Sequence, residues 1–111
     1  MVSQTRHRSE EEIVADILSI VLDGARKTRI MYGANLNYGL AVKYLNKLMD
    51  RGLIMHDKEG RMYTLTSMGR RFIEEYAEYK SIEEKLVSHA SLLEGKRAVL
   101  IQMLEKDELG K

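Results

Sequence analysis

A chain of 111 residues has the length of one domain with a modest core, and 44% hydrophobic with 32% charged residues reads as folded and globular rather than disordered. The absence of cysteine excludes disulfides and thiolate metal sites, and is what an intracellular protein shows. A net charge of +1 selects no partner by itself. The start, "MVSQTRHRSEEE", lacks the apolar run of a signal peptide, and no segment reaches the ~20 apolar residues of a membrane helix. The chain has no proline and eight scattered glycines, which favours helices over a many-stranded sandwich. Residues 1–70 hold the surplus of Lys and Arg, and residues 71–111 a surplus of Asp and Glu.

Ser9 and Glu12 form an S-x-x-E capping box, followed by Ile13, Val14, Ile17, Leu18, Val21 and Leu22 at helical spacing. A first helix is expected from Glu10 to Asp23, with Gly24 as its stop. Thr28 is the expected cap of a short second helix, Arg29 to Ala34, with Ile30 and Met31 inward. "ANLN" reads as a tight turn ending in Asn37, the cap of a third helix from Tyr38 to Arg51 that Gly52 terminates. Its inward set is Ala41, Tyr44 in part, Leu45 and Leu48; its outward set is Tyr38, Gly39, Lys43, Asn46, Lys47 and Asp50. "LIMHDKEGRMYTLT" then changes period. Two β-rich runs, Leu53–His56 and Arg61–Leu65, flank "DKEG", where Gly60 suits the left-handed position of a hairpin loop. Tyr63 and Leu65 share one face.

Thr66 caps the remaining stretch. Positions 72, 75, 79, 82, 86, 89, 93, 96, 100 and 103 form a heptad frame in which Phe72, Tyr79, Ile82, Leu86, Leu93, Leu100 and Met103 are apolar. Glu75, His89 and Lys96 interrupt it. Gly95 costs roughly 1 kcal/mol inside a helix and leaves a break there open. An unbroken helix from Ile82 to Lys106 is about 37 Å long, too long to be covered by a ~70-residue domain of about 11 Å radius of gyration.

The order helix–helix–helix–strand–strand–helix is that of a winged helix-turn-helix. "LNYGLAVKYLNKLMDRGLI" followed by "YTLTSMGRRFIEEY" resembles the small archaeal winged helix-turn-helix DNA-binding proteins, over residues 9–80 and more loosely beyond. The shared elements are the helix-turn-helix, G-L-I, a wing and Y-x-L-T-x-x-G. The resemblance implies a mainly α fold with a two-stranded wing and a C-terminal helix that pairs in an antiparallel coiled coil. It gives a flexible basic arm at 1–8, a winged domain at 9–70 and a dimerisation helix at 71–111, with a break near Gly95 left open.

A helix fits the ~12 Å major groove of DNA and presents its N-terminal residues to base edges. Here those are Asn37, Tyr38 and Gly39, then Lys43, Asn46 and Lys47. Gly39 allows close backbone approach, and Asn46 has the bidentate geometry for adenine. Arg26, Lys27 and Arg29 at the second helix, and Lys58 and Arg61 on the wing, suit phosphates, as do Arg6 and Arg8 on the arm; such contacts release counterions and weaken with salt. The plainer readings stand beside these. Lys43, Lys47 and Lys58 also serve as solubilising charges, Tyr38 as a packing residue against helix two, and Tyr44, Tyr63, Tyr76 and Tyr79 as core. His7, His56 and His89 have no metal-ligand spacing, and His89 falls on the seam. No phosphate-loop or dinucleotide pattern occurs. Neither an enzyme, a cofactor, a metal nor a small-molecule ligand is expected.

An apolar stripe outside the domain must be buried somewhere. A homodimer through Tyr79, Ile82, Leu86, His89, Leu93, Leu100 and Met103 is expected; charges do not by themselves fix its orientation. The function expected is that of a dimeric, cytoplasmic and nucleoid-associated protein on double-stranded DNA, a transcription regulator. An architectural DNA binder and a winged-helix protein adaptor are the alternatives.

Overall fold

The computed structural model describes residues 7–110, with side chains over 7–105; Arg6 lies outside them. The elements are α1 (Glu10–Ile20) closed by a 3-10 turn (Val21–Asp23), α2 (Lys27–Gly33), α3 (Tyr38–Asp50), β1 (Ile54–Asp57), β2 (Met62–Leu65) and α4 (Ser67–Gly110). This is the winged arrangement expected from the order of patterns.

Each helix of the first unit begins and ends for a visible reason. The Ser9 hydroxyl accepts from the Glu12 amide at 3.1 Å, and Glu10, Glu11 and Glu12 complement the positive end of α1. Asn37 Oδ1 accepts from the Leu40 amide at 2.8 Å and starts α3. Both α2 and α3 end in Schellman turns. In α2 the Leu36 amide bonds the Met31 carbonyl at 2.8 Å and Asn35 takes φ +57°. In α3 the Leu53 amide bonds the Leu48 carbonyl at 2.9 Å and Gly52 takes φ +77°. Asparagine and glycine are the residues that tolerate this conformation best.

The second helix starts earlier than expected. Arg26, extended and without a side-chain cap bond, precedes Lys27, so Thr28 lies within the helix. The cause is a pairing with no local signal. The Ala25 amide donates to the Tyr63 carbonyl at 3.0 Å, and the Tyr63 amide to that of Ala25 at 2.7 Å. This bridge lays the chain along β2 and releases it into the helix at Lys27.

The hairpin pairs Ile54 with Leu65, Met55 with Thr64, His56 with Tyr63 and Asp57 with Met62. Its left-handed residue is Arg61, at φ +57°, not Gly60 as expected. The four residues between the strands place the left-handed position last, immediately before β2, whatever side chain stands there.

The core joins Ile17, Leu18 and Val21 of the first helix and its closing turn to Ile30, Leu36, Ala41, Leu45, Leu48, Ile54 and Tyr63, all buried. Phe72 and Ile73, in the first turns of α4, pack against it. The inward set read for α3 is the buried one, with Tyr44 half-buried. Arg8, expected on a free arm, is instead held by the domain: its guanidinium donates to Asp16 Oδ2 at 2.9 Å and to the Ala34 carbonyl at 2.8 Å.

A second unit begins at Ala77. It is helix throughout, and α4 passes Gly95 unbroken. The break left open at that glycine does not occur; its ~1 kcal/mol cost falls within a run of good helix formers. No helix among the described residues is long and apolar enough to cross a membrane.

Candidate nucleic-acid interface

On the α3 wheel, at 100° per residue, the buried residues Ala41, Leu45 and Leu48 mark one side. Gly39, Lys43, Asn46 and Asp50 mark the opposite one, and all four are exposed. Tyr38 and Lys47 lie on the two flanks. A Cβ added at Gly39 would meet only Asn37 Oδ1, at an ordinary 3.6 Å. The fold therefore does not itself demand glycine there.

The flanks are organised differently. On one, the Lys27 ammonium stands over the Tyr38 ring, 5.2 Å from its centroid, a cation–π contact that ties the start of α2 to the start of α3. Tyr38 thus takes the packing reading in part while remaining 61% exposed. On the other, Lys47 is ion-paired with Glu10 of α1. That hydrogen bond and charge, with a smaller contribution from Lys43, hold the Glu10 carboxyl below its ordinary value. Lys43 and Lys47, expected to act together, differ: Lys47 has a carboxylate partner.

Four further cations converge near Tyr38. Arg26 and Lys27 at the start of α2, and Lys58 and Arg61 from the wing, line one open cleft of about 460 Å³, with His56 and Tyr63 at its wall. The His56 ring stacks on Tyr63 at 4.2 Å between centroids and 15° between planes. Tyr63 is buried and also holds the Ala25 bridge. One residue therefore fixes the wing, the entry to α2 and the imidazole. Arg29 lies at a separate shallow recess with Arg26 and Met62. The structure thus brings together four of the five α2 and wing cations named from the sequence.

Sequence reasoning gave His56 and Glu10 no part in this surface. The pairing of His56 with Tyr63 follows from the hairpin register, a signal that was available. Glu10 meets Lys47 across 37 residues, and nothing local announces it.

A family model described as "Winged helix-turn-helix" matches residues 7–84. The chain is 40% identical over 65 residues to the uncharacterized protein MJ0287 of Methanocaldococcus jannaschii, a match over 58% of this chain that spans less than two thirds, 65%, of that protein. The crystal structure of Sso10a-2, a DNA-binding protein from Sulfolobus solfataricus, superposes with a TM-score of 0.70 at 31% identity, covering 78% of this chain and 93% of that one. With three helices, a bridged wing and a long final helix in the expected order, and a family match across most of its length, the chain belongs to the winged helix-turn-helix family.

Proposed function

We propose that this protein binds double-stranded DNA as a homodimer and acts as a transcription regulator. In this reading α3 enters the major groove with Asn37, Tyr38, Gly39, Lys43 and Asn46 toward the bases. Arg26, Lys27, Lys58 and Arg61 take the phosphates on one side, with Arg29 beyond them and Lys47 at the opposite margin. The observation that carries it is the convergence of four cations from α2 and the wing on one cleft beside the exposed start of α3. A duplex presents a repeating row of negative charge to such a surface, and the affinity comes largely from displaced counterions.

The dimer rests on α4. Ile82, Leu86, Leu93, Leu100 and Met103 are exposed along one heptad stripe, Leu93 to 72%. Covering such side chains contributes on the order of 1.5 kcal/mol each before ordering costs. Two linked domains also bind two half-sites with higher avidity than one.

The test is a fluorescence-anisotropy titration with random duplex DNA at two salt concentrations. Affinity should fall steeply with salt, and further in the Arg26→Ala/Arg61→Ala variant. Binding indifferent to salt and to those substitutions would overturn the reading. A pool of random duplexes then separates a regulator, which enriches one sequence, from an architectural binder, which enriches none.

A further inference from the structure

The four cations explain the charge of the cleft but not the imidazole among them. His56 lines the same cleft as Arg26, Lys27, Lys58 and Arg61. Its position is tightly specified. The hairpin register sets it opposite Tyr63, so both rings leave the same face of the wing. The rings stack at 4.2 Å, and Tyr63 is itself buried and bridged to Ala25, so the surface beneath the imidazole is fixed.

A stacked ring alone does not require histidine. Phenylalanine or tyrosine would cover Tyr63 as well and suit a strand better. What histidine adds is two ring nitrogens. Neither has a hydrogen-bond partner among the described residues, and the side chain is half-buried rather than sealed.

The groups around the ring decide what those nitrogens can serve. From the start of α2 the cleft receives Arg26 and Lys27, and from the wing loop Lys58 and Arg61. Carboxylates lie elsewhere. Asp57, the next residue, points to the opposite face of β1, and its Oδ1 accepts from the Glu59 amide at 3.2 Å. Glu59 is exposed in the loop and outside the lining. Helix α3 packs on β1, and the closing turn of α1 on β2. Their charged residues Lys43, Lys47, Asp50 and Asp23 do not line the cleft either. An anion seated among the four cations therefore meets the imidazole with no carboxylate in the lining to compete. A phosphate there favours the protonated ring, which gains an opposite charge and a charge-assisted hydrogen bond. Phosphate binding and protonation then reinforce one another, since each favours the other by the same factor.

We propose that His56 is a phosphate-binding residue of the DNA interface, the fifth cation of the cleft once protonated, so that DNA binding takes up a proton there. The inference rests on the DNA-binding reading above and adds to it one residue and a pH dependence.

The sign follows from linkage. Imidazoles as a class change charge between about pH 5 and 8, and a complex that holds the extra proton tightens as pH falls through that range. Glu10 is lowered below 4.5, so its carboxyl stays ionised across the range and its pair with Lys47 does not produce the change. The other histidines, His7 and His89, are separated by substitution.

The experiment is a fluorescence-anisotropy titration of the full chain with random duplex DNA at about pH 8 and about pH 6, each at two salt concentrations. The affinity of the unmodified protein should rise about five-fold at the lower pH, and the slope of log affinity against log salt should steepen by up to about 0.9. His56→Phe, which keeps a ring on Tyr63, should match the unmodified protein at the higher pH and lose the rise. His56→Gln should lose it too, and provides a second variant where phenylalanine disturbs the wing. His7→Gln and His89→Gln should keep it. Calorimetry at about pH 7 in two buffers of different ionisation enthalpy should show proton uptake on binding, much reduced in His56→Phe. A rise that survives in either His56 variant, or a loss of affinity by the same factor at both pH values, would reduce His56 to a structural ring of the wing. Salt-dependent binding by the unmodified protein without a rise or proton uptake would likewise overturn the proposal and leave DNA binding standing. No binding to duplex at either pH would overturn the DNA-binding reading itself, and this role with it.

Discussion

Gly69 lies directly against the carbonyl of Leu53: a Cβ on Gly69 would stand 2.2 Å from that oxygen and 2.6 Å from Leu65 Cδ1. Two sequence signatures thereby become one contact. Gly52 ends α3 in the left-handed conformation, Leu53 turns into the wing, and the Thr66 hydroxyl donates to the Gly52 carbonyl at 2.6 Å. The same hydroxyl accepts from the Gly69 amide at 3.0 Å, capping α4. G-L-I and L-T-x-x-G are the two sides of the joint that seats α4 on the wing. The first obstacle to a side chain at Gly69 is backbone, which cannot rotate away. Gly69→Ala should destabilise the domain by about 3 kcal/mol or more, as overpacking against an immobile group does. Urea denaturation checks it; a loss below about 1 kcal/mol would show that the joint yields.

Arg61 holds a conformation that costs a non-glycine residue of order 1 kcal/mol, and it does so in the cationic cleft. Strain and function are separable here by one substitution. Arg61→Gly should raise or preserve the thermal midpoint, because glycine adopts positive φ freely. It should also weaken DNA binding and reduce the slope of log affinity against log salt by about 0.9, one phosphate contact. A variant that gained stability with an unchanged slope would remove Arg61 from the phosphate set.

The Glu10–Lys47 pair lies at the margin of the proposed interface, where a carboxylate would compete with a DNA phosphate for the same ammonium. Glu10 is depressed below its ordinary 4.5, first by the Lys47 hydrogen bond and charge. A carboxyl lowered on folding contributes stability above its unfolded value and loses that contribution as pH falls through the folded one. The group is exposed to solvent, so the readout is the titration itself. The Glu10 carboxyl followed by NMR should move upward in Lys47→Ala. Glu10→Gln should tighten DNA binding and steepen its salt dependence by up to about 0.9, as Lys47 is released. Lys43→Ala should weaken binding more than Lys47→Ala. Equal losses would mean that the ion pair does not restrain Lys47.

Much of this architecture is written locally. Ser9, Asn37 and Thr66 announce helix starts by their own chemistry, Gly52 announces a stop, and the spacing of Ala41, Leu45 and Leu48 gives the buried side of α3 before any coordinates. The parts that escape such reading are contacts between distant segments. The Ala25–Tyr63 bridge moves the start of α2 from the cap Thr28 would supply to Lys27, and it depends on β2 being in place. Glu10 finds Lys47 only after α1 and α3 have packed. Arg61 takes the left-handed position although Gly60 has the better intrinsic preference, because loop length and register decide the position first. The cation cleft is intermediate: its four cations are identifiable in the sequence, but His56 is not, and the sharing of one cleft by Arg26, Lys27 and the wing follows from the bridge.

Gly95 offers the last prediction, because its role can be separated from its neighbours. A Cβ there meets nothing within 4 Å among the described atoms, and the position lies off the seam in the heptad frame. Its missing side chain serves no close approach within the chain, and glycine in a helix interior costs about 1 kcal/mol relative to alanine. Gly95→Ala should therefore raise the stability of α4 by up to that amount. If helix formation and dimerisation are linked, both copies gain, and the dimer dissociation constant should fall several-fold in sedimentation. DNA affinity per domain should not change, since no residue of the cleft is touched. Weaker dimerisation would instead mean that the assembled dimer brings another surface against Gly95, and that bare backbone is needed at that contact.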